Sequence, residues 1–104
     1  MLISTTPTLE GKTIKEYRGI VFGEIVNVVY FLKDITTGFL KFTGGRSDEY
    51  EKEIIDARAD ALDEMMQRAA NVGANAVVGV SLDYEVLGGN MLMITATGTA
   101  VVVE

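Results

Sequence analysis

Cysteine, histidine and tryptophan are all missing from this chain of 104 residues, and proline occurs once. Without cysteine there is no disulfide, no thiol nucleophile and no thiolate ligand. Without histidine there is no imidazole to move protons near neutral pH or to hold zinc. Positive charge is also scarce: nine lysines and arginines face fifteen acids, a formal net charge of −6. Nucleic acid is excluded as a partner, because binding its backbone requires a basic surface. No apolar run approaches the ~20 residues of a membrane-spanning helix, and the N-terminus lacks a signal-peptide pattern, so the expected location is cytoplasmic.

Apolar residues are abundant instead. They make up 48% of the chain, and the mean hydropathy is positive. A chain of this length makes one domain, residues 1–104, with a modest core that gains from assembly. Its organising stretch runs from Ser47 to Val72. Tyr50, Ile54, Ala57, Ala61, Met65 and Val72 fall within one arc at 3.6 residues per turn, which predicts a long amphipathic helix. Ser47 or Asp48 caps its start, the early acids suit the positive end of its dipole, and Gly73 terminates it. Glu49, Glu53, Asp56, Asp60, Asp63 and Glu64 fill the far side. A second apolar stripe, Ile55, Leu62 and Met66, lies roughly 100° round from the first. Covering one sheet needs only the first stripe, so the second points to the N-terminal segment or a neighbouring subunit.

The flanking segments read as sheet. Met1 to Thr5 is short and β-branched, ends at Pro7, and leads into a turn at Gly11. Residues 13–30 are strand-like and apolar on both faces, with Gly19 and Gly23 marking a bulge, a bend or a close backbone approach. Phe31, Ile35, Phe39 and Phe42 recur at helical spacing, which predicts a short extra helix. A membrane-surface reading of that helix gives way to packing on the core or on a neighbour, since Lys33 and Lys41 form only a thin basic face. Ala76 to Leu87 alternates, with Ala76, Val78, Val80, Leu82, Tyr84 and Val86 on one face. Met91 to Val103 alternates likewise, with Leu92, Ile94, Ala96, Gly98, Ala100 and Val102 together. A three-residue loop, Gly88-Gly89-Asn90, keeps these apolar faces on one side. It pairs Leu87 with Met91, Asp83 with Thr95, Ser81 with Thr97, Leu82 with Ala96 and Val80 with Gly98. The fold class is α+β: a small antiparallel sheet, one long helix across one face, and a β-β-α-β-β order with the short extra helix.

Several motifs recur together in this order: Thr5-Thr6-Pro7 with Glu10-Gly11-Lys12, Gly19-Ile20-Val21 with Gly23-Glu24, Gly44-Gly45-Arg46-Ser47, Gly73-Ala74-Asn75-Ala76-Val77-Val78-Gly79-Val80, and Met91-Leu92-Met93 with Gly98-Thr99-Ala100-Val101. In these the chain resembles the YbjQ-like family of small prokaryotic proteins, often labelled heavy-metal-binding, over nearly its whole length. The resemblance implies a dodecin-like subunit and assembly into a ring of five copies. It implies no established reaction.

Candidate sites follow from residue chemistry. A metal would have to take oxygen ligands, since soft metals favour thiolate or imidazole. Asp83 and Glu85 share a strand face, with Ser81, Thr95, Thr97 and Thr99 as hydroxyl donors. The competing reading is the polar side of a half-covered sheet. An anion could bind at Gly44, Gly45, Arg46 and Ser47, where backbone N–H groups, a helix start and a guanidinium converge. Against it, the acids of the first turns already complement the dipole, and a tight connection capped by Ser47 needs no ligand. No nucleophile–base pair is evident among the carboxylates, Tyr17, Tyr50 and Tyr84, so no enzyme and no cofactor is expected. Tyr84 reads as core. The expected partner is the chain itself, with Ile55, Leu62 and Met66 on one side of the contact and Phe39 and Phe42 near the other, and the resemblance implies that the assembly is a homopentamer.

Overall fold

The computed structural model describes residues 1–28, 48–88 and 91–104. Phe39 and Phe42, the short helix over residues 31–42, and Gly44 to Ser47 lie outside the described residues. Five elements follow in order: β1 (Leu2–Ile3), β2 (Ile14–Val28), α1 (Asp48–Asn71), β3 (Ala76–Leu87) and β4 (Met91–Val103). They make an α+β fold in which one helix lies across a four-stranded sheet of order β1-β3-β4-β2. The sheet is mixed rather than antiparallel. β1 runs parallel to β3, pairing Leu2 with Ala76 and Ile3 with Val77, while β4 is antiparallel to both β3 and β2.

The helix ends as its sequence dictates. Gly73 takes φ +83°, Gly73 N–H donates to Ala70 C=O, and Ala74 N–H reaches back to Ala69 C=O, both at 3.0 Å. That pairing satisfies carbonyls the last turn would otherwise leave open. Ala57, Ala61, Met65 and Ala69 are buried, with Ile54 packed against them. Val72, expected on this stripe, is 42% exposed, because the helix has already ended and Ala69 fills the place one turn back.

Small residues let the helix sit close. Gly23 of β2 lies directly under it: a Cβ there would fall inside the Ala61 carbonyl oxygen and within 2.8 Å of Met65 N. The close approach suggested by that glycine is therefore helix on strand. Gly19 plays the other expected part, with φ +107° beside a register shift between Tyr17 and Gly19.

In the hairpin the pairing is as the loop length requires from Leu87–Met91 through Ser81–Thr97, with Asp83 opposite Thr95 and Leu82 opposite Ala96. The expected Val80–Gly98 pair does not form. Val78 pairs with Thr99, so β3 spends three residues where β4 spends two. Gly79, at φ +63°, is the left-handed residue of the resulting bulge. This extra residue reverses the alternation. Val77, Val80 and Leu82 face the helix, while Ala76 and Val78 turn to the other side with Val101 and Val103. There Leu9 and Ile14 cover them, giving a second small core at one end of the sheet.

Asn75 ties that end together. Its side-chain amide donates to Val103 C=O at 2.9 Å and accepts from Val103 N–H at 2.8 Å, standing in for one more strand residue. Replacing Asn75 with alanine leaves both backbone groups without these partners and is expected to cost about 1–3 kcal/mol. Urea denaturation gives the loss, and faster exchange of the Val103 amide gives its location.

Candidate functional site

Among the described residues, the face of the sheet away from the helix is covered at one end, by Leu9 and Ile14. Reading across it from β3 through β4 to β2, the rows are Ser81–Thr97–Phe22, Asp83–Thr95–Glu24 and Glu85–Met93–Val26. Thr97 and Thr95 thus stand between a β3 border that carries Asp83 and Glu85 and a β2 border that is apolar except for Glu24. Asp83 and Glu85 do share this face and are exposed, as the alternation requires. Glu24, absent from the sequence-based set, occupies the same row as Asp83. Two strand spacings, about 10 Å of backbone, lie between them. Among the described residues no three carboxylates come close enough to hold a metal ion.

The apolar border is the more unusual feature. Tyr17 and Ile20 are each 71% exposed, and Phe22 and Val26 are exposed beside them. Tyr84 was expected in the core, yet it is exposed together with Val86. Both lie on the helix side of the sheet, opposite Ile94 and Leu92, near the loop end of the hairpin. The molecule is accordingly long, 54 × 23 × 15 Å, with a radius of gyration of 17.0 Å against the ~13 Å of a compact chain this size.

The second helix stripe divides. Ile55 is 51% exposed, Met66 is half-buried, and Leu62 packs partly on the core. Leu62 also lines an apolar hollow of about 220 Å³ with Ile3, Ser4, Thr5, Val80 and Leu82. The N-terminal segment therefore covers part of this stripe, and Ile55 is left open.

The two edges of the sheet differ. At the β2 edge, Arg68 Nη1 donates to Phe22 C=O at 3.0 Å, and Glu24 N–H donates to Glu64 Oε1 at 3.5 Å. Arg68 and Glu64 are themselves paired at 2.7 Å, one helical turn apart. This pair occupies backbone groups that an edge strand presents to other chains. At the opposite edge, β1 and its continuation reach only as far as Val80, whose N–H donates to Ser4 C=O at 3.0 Å. Beyond it, residues 81–87 of β3 have no strand beside them among the described residues. Neither edge was legible in the sequence, since strand order alone decides which strands lie outside.

A mixed four-stranded sheet crossed by one helix defines the class of fold. The chain belongs to the YbjQ-like family, whose model, described as "Putative heavy-metal-binding", matches residues 1–104. A UPF0145 protein of Clostridium kluyveri is 59% identical over 106 residues, covering 100% of both chains. One from Listeria ivanovii is 58% identical, covering 100% of this chain and 96% of its own. The crystal structure of a protein of unknown function from the DUF74 family of Pediococcus pentosaceus matches with a TM-score of 0.69 at 14% identity, covering 100% of this chain and 98% of that one. This last likeness bears on the fold alone.

The family description names heavy metals, and the donor set here does not fit them. Zinc, copper and cadmium favour thiolate and imidazole, and the chain has neither cysteine nor histidine. Of the methionines, Met65 is buried in the core, Met66 lies on the helix stripe and Met93 on the outer sheet face. We expect no submicromolar binding of these three metals to tag-free protein at neutral pH, as read by calorimetry. Submicromolar affinity would require a carboxylate site built from several chains.

Proposed function

We propose that the chain is a self-assembling module that closes head to tail into a ring, with five copies as the family resemblance implies. The observation that carries this reading is the apolar surface left uncovered on two sides of the subunit. Tyr17 and Ile20 project from β2 on one side, and Ile55 at 51% exposure projects from α1 on another. Scattered exposed apolar residues are ordinary in a monomer, but rows of them mark contact surfaces. Because the two surfaces differ, a contact between them is heterologous, and heterologous contacts generate rings when the rotation closes. No reaction is assigned. Phe39 and Phe42 keep the place the sequence gives them, as further apolar contributors to the contact.

Two helix substitutions test it. Ile55→Glu with Met66→Glu places two carboxylates on the second stripe, one at its exposed and one at its half-buried position, and leaves the buried stripe untouched. Sedimentation velocity at micromolar concentration should show the variant as a folded monomer and the wild type as a larger closed species. Identical sedimentation of the two would remove the stripe from the contact.

A further inference from the structure

We draw no further inference here: the strongest candidate, the apolar hollow of about 220 Å³ beside Leu62 between the N-terminal segment, α1 and β3, carries nothing because nothing in the structure shows what covers it.

Discussion

Gly23→Ala is expected to be among the most damaging single-atom additions the chain can receive. The new methyl group would coincide with the Ala61 carbonyl oxygen, with Ala61 C only 2.9 Å away. These are backbone atoms of a helix that is itself packed, so no rotamer change relieves the overlap. Either α1 lifts off β2 or β2 drops out of the sheet. Overpacking typically costs ~1–3 kcal/mol where side chains can yield, and here the cost should reach or exceed the top of that range. At ~4–8 °C per kcal/mol for a domain near this size, Tm should fall by at least ~12 °C. Ser81→Ala, at an exposed position, should move Tm little. Equal melting of the alanine variant at position 23 and the wild type would mean that the helix does not cross the sheet at this point.

Met65→Ala should cost nearly as much, by the opposite route. Met65 is among the largest fully buried side chains, and it sits with Val21, Ala61, Ile94 and Ala96 in the core beneath the helix. Its neighbours are mostly alanine and valine, too short to collapse into the space left behind. Deletion of a buried methionine to alanine costs ~2–5 kcal/mol, and the upper half of that range applies where relaxation is poor. Chemical denaturation would show a lowered midpoint with an unchanged slope. A loss below ~1 kcal/mol would place Met65 at a yielding surface instead.

The long helix and the hairpin were legible because their signals are local. A 3.6-residue period identifies the buried arc over Ile54, Ala57, Ala61 and Met65, and loop parity fixes Leu82 opposite Ala96 without any knowledge of the rest of the fold. Alternation likewise put Asp83 and Glu85 on one face. The failures arose where one residue or one distant neighbour changes the outcome. Gly79 inserts a single bulge and inverts Val77 and Val78, although the sequence there alternates without a break. β1 is too short for its parallel direction to be read from its own residues. Tyr84 and Val86 carry core chemistry, but the hairpin outruns the helix that would cover them. Edge positions are decided by strand order, which is a property of the whole sheet. The Arg68–Glu64 cap on β2, the open half of β3 and the hollow beside Leu62 therefore emerge only from the folded chain.

Assembly is the central claim, and the native mass of the wild-type protein tests it most directly. Electrospray from volatile buffer at neutral pH and micromolar concentration should give one dominant species at five times the 11.3 kDa chain mass. A dominant species at the mass of a single chain, folded by its narrow charge distribution, would contradict the account. Tyr17, Ile20 and Ile55 would then face water in the working protein.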